Sequence, residues 1–197
     1  MEVLVPVASI LVVLAAVVTG VRWQHGRARA ALAAFAVRRG FSVTDGGSLL
    51  GLTFDVRAHG SIDGLAIAAE PVLRGYGRRR RRNTRMSARF GRPVAGRVDV
   101  RRRGMLSFVH RLGLPEVSFG GEFSLKAIVC SKETSLARAW LSNDVQRAFV
   151  AFPKDALLRL EGNEASVEWR GHSTDAELLD RALELVLVAG RAAREAN

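Results

Sequence analysis

One uninterrupted run of basic side chains in this 197-residue sequence could bind anions, and it lies at positions 78–82. All five residues are arginine, and further arginines lie close by in the sequence. A guanidinium group presents paired N–H donors whose geometry matches a phosphate or a carboxylate. We therefore predict an anion-binding or lipid-binding set that consists of Arg74, Arg78, Arg79, Arg80, Arg81, Arg82 and Arg85.

Three interpretations of this run stay open. It could be a solvated hairpin tip, a contact to anionic lipid headgroups, or a contact to nucleic acid or an acidic protein. A second cluster at positions 101–103 could join the first in space, which would favour the two binding interpretations. The sequence has no helix-turn-helix pattern, no paired zinc ligands and no strand of alternating aromatic residues, so nucleic acid is an unlikely partner.

Residue types that carry catalysis or metal binding are scattered along the chain. The four histidines, His25, His59, His110 and His172, lie far apart, and none is in a His-x-x-x-His spacing. Cys130 is the only cysteine, which excludes an intramolecular disulfide. No glycine loop has the pattern of a nucleotide-binding motif. We predict no catalytic residue, no cofactor and no metal; an enzyme whose site the sequence does not show is the third functional hypothesis.

The beginning of the chain is apolar. Residues 3–21 contain no charged side chain. As an α-helix this segment would be about 28 Å long, close to the ~30 Å hydrocarbon core of a bilayer. Its flanks lack the features of a cleaved signal peptide. We predict an uncleaved transmembrane anchor over residues 1–22, with Arg22 and Trp23 at the membrane interface.

The arginines that follow the apolar run predict its orientation. They stand at positions 22, 27, 29, 38 and 39, and nothing basic precedes the run. Basic residues next to a membrane span favour the cytoplasmic side. We therefore expect a single-pass protein of the inner membrane, with its N-terminus outside and its C-terminal domain in the cytoplasm.

The charge of the chain is uneven. Its 30 Lys plus Arg and 19 Asp plus Glu give a net charge of +11. Residues 22–112 hold 20 arginines, no lysine and five acidic residues, whereas residues 113–197 hold 10 basic and 13 acidic residues. We predict four parts: a transmembrane anchor at 1–22, a juxtamembrane helix at 23–40, a basic β-rich subdomain at 41–112 and an α+β subdomain at 113–197.

Local patterns predict the elements of these parts. Asp63-Gly64 between two alternating runs predicts a β-hairpin, and the apolar alternation at 123–129 predicts a half-buried strand. Further patterns predict a helix capped by Ser142, a hairpin at 157–160 and 165–170, and a final helix opened by a capping box at 174–177. The predicted fold class is α+β: a transmembrane helix, a β-rich basic segment, and a C-terminal strand-helix-helix-hairpin-helix subdomain.

Several short motifs occur together in this order. They are a Gly-containing hairpin at 60–64, the stretch Gly120-Gly121-Glu122-Phe123 before a strand that ends at Cys130, and the segment at 137–142. In these motifs the chain resembles a group of bacterial single-span membrane-anchored proteins described as a domain of unknown function. It departs from the group at Ser124, where an acidic residue is usual. The resemblance implies a membrane-anchored bacterial architecture and no catalytic residue.

The resulting functional hypothesis is a membrane-anchored cytoplasmic domain that binds or scaffolds and does not catalyse. Its arginine-rich loop would contact anionic lipid or an acidic protein. The alternative is a membrane-tethered binder of nucleic acid or of an acidic protein. The sequence predicts neither the oligomeric state nor the identity of the partner.

Overall fold

The described residues form a nine-stranded antiparallel sheet with helices. The computed structural model describes residues 4–46, 55–75, 81–103, 114–153, 155–171 and 173–196, with side chains in the first helix from Leu14 onward. The elements in chain order are α1 (Leu4–Arg39), β1 (Ser42–Asp45), β2 (Val56–Ile62), β3 (Leu65–Arg74), β4 (Arg81–Arg89), β5 (Arg97–Arg102), β6 (Glu116–Val117), α2 (Gly121–Lys126), β7 (Ala127–Ser131), α3 (Thr134–Trp140), α4 (Asn143–Ala151), β8 (Ala156–Glu161), β9 (Glu164–Arg170) and α5 (Ala176–Glu195). Across the sheet the strands follow the order β1-β2-β3-β4-β9-β8-β5-β7-β6.

The alternation of side chains gives this sheet one apolar face and one polar face. Ile67 of β3, Met86 of β4 and Val167 of β9 point to the same face and are buried. Helices α1, α3, α4 and α5 cover this face, and the hydrophobic core lies between them and the sheet. The alternate positions carry mostly charged residues, and they form the polar face.

Helix α5 lies very close to the sheet at Gly190. A Cβ atom at this position would be 3.1 Å from Cδ1 of Leu65 and 3.2 Å from Cβ of Ala88. The helix is also tied to α3, because Nε1 of Trp140 donates to the carbonyl of Ala189 at 2.9 Å. The absent side chain of Gly190 therefore allows α5 to pack directly on β3 and β4.

Several predicted local elements are confirmed. Asp63 and Gly64 have φ values of 53° and 73° and join β2 to β3, as the Asp-Gly pair predicts. Strands β8 and β9 form the predicted C-terminal hairpin, and the side chain of Ser142 caps α4. The cap of α5 is Asp175, one residue after the first position of the predicted capping box.

The predicted strand at 123–129 is wrong in its first half. Residues Gly120 and Gly121 have φ values of 73° and 61°, which favour glycine, and helix α2 follows them. The helix turns Phe123 inward against Phe149, with ring centroids 6.5 Å apart. Strand β7 begins only at Ala127. Tertiary packing of Phe123 therefore overrides the alternating pattern.

The predicted transmembrane anchor is corrected. No helix among the described residues is long and apolar enough to cross a membrane. Within the described side chains of α1, the apolar run extends from Leu14 to Val21. The earlier part of the apolar run lies outside the described side chains. The predicted anchor over residues 1–22, the single-pass topology with its N-terminus outside, and the placement in the inner membrane with a cytoplasmic domain are therefore wrong.

The C-terminal elements follow the predicted order of strand, helix, helix, hairpin and helix, from β7 to α5, but their strands do not form a sheet separate from the basic segment. Strand β4 pairs with β9, and β5 pairs with both β7 and β8. Strands from the basic and the near-neutral parts of the chain therefore alternate within one sheet. The boundary that we predicted at residue 112 lies outside the described residues.

We expect Gly190→Val to lower the free energy of unfolding by about 1–3 kcal/mol, because the new methyl groups would overlap Leu65 and Ala88. Gly26→Val is the matched control, since Gly26 lies in α1 with no neighbouring atom within 4 Å of a Cβ. Urea denaturation followed by circular dichroism measures both changes. Equal stabilities of the two variants would contradict the close approach of α5 to the sheet.

Candidate functional site

The polar face of the sheet carries a lattice of ion pairs. Side chains directly opposite one another on antiparallel strands interact, and Arg85 of β4 lies between Glu70 of β3 and Glu168 of β9. Nε of Arg85 donates to Oε1 of Glu70 at 3.1 Å, and Nε of Arg89 donates to Oε2 of Glu164 at 2.8 Å. In this part of the face, carboxylates neutralise the arginines.

Glu168 is a buried member of this lattice. Its side chain is 8% exposed and accepts hydrogen bonds from Nη2 of Arg74 and Nδ2 of Asn83, both at 2.6 Å. Burial opposes ionisation of the carboxyl, but the hydrogen bonds from Arg74 and Asn83 outweigh it, so the pKa of Glu168 lies below its usual value. The side chain therefore carries its negative charge at neutral pH.

Asp99 on β5 is the second buried carboxylate of the lattice. It accepts from Nη2 of Arg97 and from Nε of Arg159, each at 2.8 Å. Burial again opposes ionisation, and the hydrogen bonds from Arg97 and Arg159 outweigh it and lower the pKa of Asp99. Arg159 thus shares the carboxylate of a neighbouring strand with Arg97.

A cleft of about 820 Å³ opens beside Glu168, at the end of the sheet where β4 begins and β5 and β9 end. Two acidic residues line it, Asp155 and Glu168. The basic lining residues are Arg74, Arg81, Arg101, Arg102, Arg103, Arg159 and Arg170. We name this site the arginine cleft, because its lining carries a clear excess of positive charge.

The arginines of the cleft differ in whether a carboxylate balances their positive charge. Arg74 and Arg159 bind the two buried carboxylates of the lattice. Arg81, Arg101 and Arg170 make no ion pair or side-chain hydrogen bond with any residue that the structure describes. Their positive charge is available to a ligand in the cleft.

Arg102 and Arg103 are oriented mainly by backbone carbonyls. Nη2 of Arg102 donates to the carbonyl of Val150 at 2.9 Å, and Nε of Arg103 donates to the carbonyl of Ser124 at 3.0 Å. Arg103 also binds Glu116, at 2.9 Å. A carbonyl fixes the position of a guanidinium group without cancelling its charge, so Arg102 remains cationic and ordered.

The structure brings part of the predicted anion-binding set into the cleft. Arg74 and Arg81 line it together with the second cluster at 101–103, so one described residue of the run at 78–82 meets the second cluster. Arg159 and Arg170 were not among the predicted residues. Their outward positions in the hairpin β8–β9 follow from its alternation, but only the strand order shows that they meet β4 and β5.

The other predicted residues lie elsewhere. Arg82 turns to the opposite face and contacts His25 of α1, and Arg85 belongs to the ion-pair lattice. On α1, Arg22 is exposed and Trp23 is 61% exposed. The remaining members of the predicted set, Arg78, Arg79 and Arg80, lie outside the described residues.

The histidines and the cysteine are not brought together. His25 lies in α1, His59 on β2 and Cys130 on β7, while His110 and His172 lie outside the described residues. Within the part of the chain that the structure describes, no group of three or more His, Cys, Asp or Glu side chains could hold a metal ion.

Comparison with known proteins shows similarity of fold to a solved structure. No protein-family model and no curated protein match the chain. Among solved structures, the mycobacterial trehalose monomycolate transport factor A is similar, with a TM-score of 0.57 and 14% sequence identity over 85% of this chain and 94% of that one. At this identity the similarity shows a shared fold and no shared residue roles. The resemblance to the group of single-span bacterial proteins stays a prediction.

We expect Glu168→Gln to weaken the dependence of stability on pH. A carboxyl whose pKa falls on folding stabilises the folded protein above its ordinary value of 4.5, and this contribution is lost as the pH falls through the lower folded value. The variant should be less stable than the wild type by about 1–3 kcal/mol at neutral pH, and the difference should shrink on acidification.

Urea denaturation over a series of pH values down to about pH 3 tests this expectation, because the series crosses the ordinary carboxyl pKa of 4.5 and extends below it. Glu161→Gln is the control, since the side chain of Glu161 is 55% exposed. Its curve should run parallel to that of the wild type. Parallel curves for Glu168→Gln and the wild type would show that Glu168 is not stabilised as an anion.

Proposed function

We propose that this protein is a binding domain that holds the anionic headgroup of a lipid in its arginine cleft. The observation that carries the proposal is the set of Arg81, Arg101 and Arg170, which line one cleft and have no ionic partner among the described residues. Unpaired cations that share a cleft repel one another. A bound anion removes this repulsion, so the cleft favours a negatively charged ligand.

Phosphate esters suit the chemistry of the cleft. A guanidinium group donates two parallel, charge-assisted hydrogen bonds to such a group. Near an anionic bilayer each basic residue contributes about 1 kcal/mol, and salt screens the attraction over ~8 Å. Arg102 is already held by a backbone carbonyl, so it loses little further freedom when a ligand binds.

Outside the cleft, many basic residues of the described surface are paired with carboxylates, which disfavours binding of a nucleic-acid backbone. On the polar sheet face, the arginines are paired with Glu70, Glu164 and Glu168. Helix α5 exposes Glu177 and Glu184. A nucleic-acid backbone is bound along an extended positive groove, whereas Arg81, Arg101 and Arg170 lie together in a cleft at one end of the sheet.

The similar solved structure belongs to a protein named as a trehalose monomycolate transport factor. A fold of this kind therefore occurs in a protein that is named for transport. At 14% identity the likeness carries no ligand to this chain, so the proposal depends on the arginine cleft.

The cleft triple, Arg81→Gln with Arg101→Gln and Arg170→Gln, tests the proposal. We expect the full-length triple variant to lose the preference of the wild type for phosphatidylglycerol vesicles over phosphatidylcholine vesicles by roughly 10- to 100-fold at low ionic strength, because three basic residues contribute about 1 kcal/mol each. Vesicle co-sedimentation measures the partition coefficient for each lipid. The ratio of the two coefficients cancels any binding that does not depend on lipid charge.

The control removes the same charge elsewhere. It is a triple Arg→Gln variant at the exposed positions Arg138, Arg147 and Arg181 of α3, α4 and α5. If both triples lower the lipid preference equally, net charge governs the binding and the cleft is not the site.

A short DNA duplex distinguishes the alternative partner. Binding to a nucleic-acid backbone loses about 0.9 log units of affinity per phosphate contact for each decade of salt. If the cleft triple abolishes such salt-dependent DNA binding and leaves the vesicle preference unchanged, the cleft serves nucleic acid and the lipid proposal is wrong.

A further inference from the structure

A second cavity shares a wall with the arginine cleft. It has a volume of about 460 Å³ and is lined by Leu125, Lys126, Phe149 and Val150, together with Arg102 and Arg103. Both arginines also line the arginine cleft. We name this cavity the α2–α4 pocket, after the two helices that supply its other lining residues. The two cavities therefore adjoin at Arg102 and Arg103.

The α2–α4 pocket has an apolar surface at Leu125. This side chain is 75% exposed, because the same turn of α2 that directs Phe123 into the core directs Leu125 outward. Phe149 and Val150 of α4 also line the pocket; Phe149 is 1% exposed, so the apolar surface is that of Leu125 and of the half-buried Val150. Covering an exposed leucine with a hydrocarbon removes apolar surface from water, so a hydrocarbon chain is a favourable occupant.

The two arginines at the rim of the pocket are held in place, and Arg103 is paired with Glu116, so the uncompensated charge at the rim is that of Arg102. Arg102 is bonded to the carbonyl of Val150 at 2.9 Å, and Arg103 to the carbonyl of Ser124 at 3.0 Å. Their charged groups therefore stand between the apolar surface of the pocket and the unpaired arginines of the cleft. Cationic groups beside an apolar surface complement a molecule that has an anionic head and a hydrocarbon tail.

We propose that the protein binds a single molecule of an anionic lipid, with the head in the arginine cleft and the first part of one acyl chain in the α2–α4 pocket. This inference rests on the proposed function, and it adds a binding site for the acyl chain of the lipid. It distinguishes capture of individual lipid molecules from contact with the charge of a lipid surface. A free phosphate ion would fill only the cleft.

Alkyl phosphates of increasing chain length test the inference when they are used below the concentration at which they aggregate. The full-length protein is titrated calorimetrically with inorganic phosphate and with butyl, hexyl and octyl phosphate. We expect the affinity to rise by about two- to fourfold for each added methylene until the chain fills the pocket. An affinity that is independent of chain length would overturn the inference.

Leu125→Ser is expected to flatten this dependence on chain length and to leave the affinity for inorganic phosphate unchanged. Leu125→Met keeps an apolar side chain and should retain the dependence. The control is Val37→Ser, which changes another exposed apolar residue on α1, 79% exposed. If Leu125→Ser retains the full dependence on chain length, the chain does not occupy the α2–α4 pocket.

Failure of this inference and failure of the proposed function give different results. If the cleft triple binds inorganic phosphate as tightly as the wild type, the arginine cleft is not the anion site and both proposals fall. If the cleft triple loses phosphate binding but the wild type shows no dependence on chain length, only the acyl-chain inference falls.

Discussion

Successive side chains of a β-strand point to opposite faces of the sheet, so each strand places alternate residues on the face that no described helix covers. The ion-pair lattice and the arginine cleft both follow from this constraint. Residues 22–112 hold 20 arginines, and many of them fall on these outward positions. Where strands lie side by side, carboxylates from neighbouring strands neutralise the guanidinium groups. At the end of the sheet where β4 begins, Arg81, Arg101 and Arg170 have no partner among the described residues, and Arg102 is held by a backbone carbonyl, so the charge of these four arginines is uncompensated.

The ion-pair lattice defines the site more than it stabilises the fold. Many of its pairs are partly exposed, and such pairs contribute little net free energy. The apolar face contributes most of the stability, through burial of residues such as Leu158, Leu160 and Val167. The lattice determines which arginines are paired with a carboxylate. The cleft is therefore identified by the arginines that the lattice leaves without a partner.

Acidic residues of the helices also form ion pairs with arginines. Asp180 of α5 binds both Arg38 and Arg39 of α1, at 2.8 and 2.7 Å. Two basic residues at the end of α1 thereby share one carboxylate on the helical side of the molecule. The cationic cleft and this helix pair lie on different faces, so the positive net charge of the chain of +11 is distributed unevenly over its surface.

Sequence patterns alone are sufficient to predict the elements that depend on neighbouring residues. The Asp63-Gly64 turn, the Ser142 cap and the hairpin β8–β9 follow from local backbone preferences and alternation, and the concentration of arginine follows from composition. Only the tertiary structure decided that β4 pairs with β9 and β5 with β8, because strand order depends on contacts between distant residues. That order gathers arginines from five strands into one cleft, and packing of Phe123 replaces a predicted strand with α2 and exposes Leu125. The pairing of distant strands thus determines where the candidate site lies, because a local sequence pattern does not show which arginines lack a carboxylate partner.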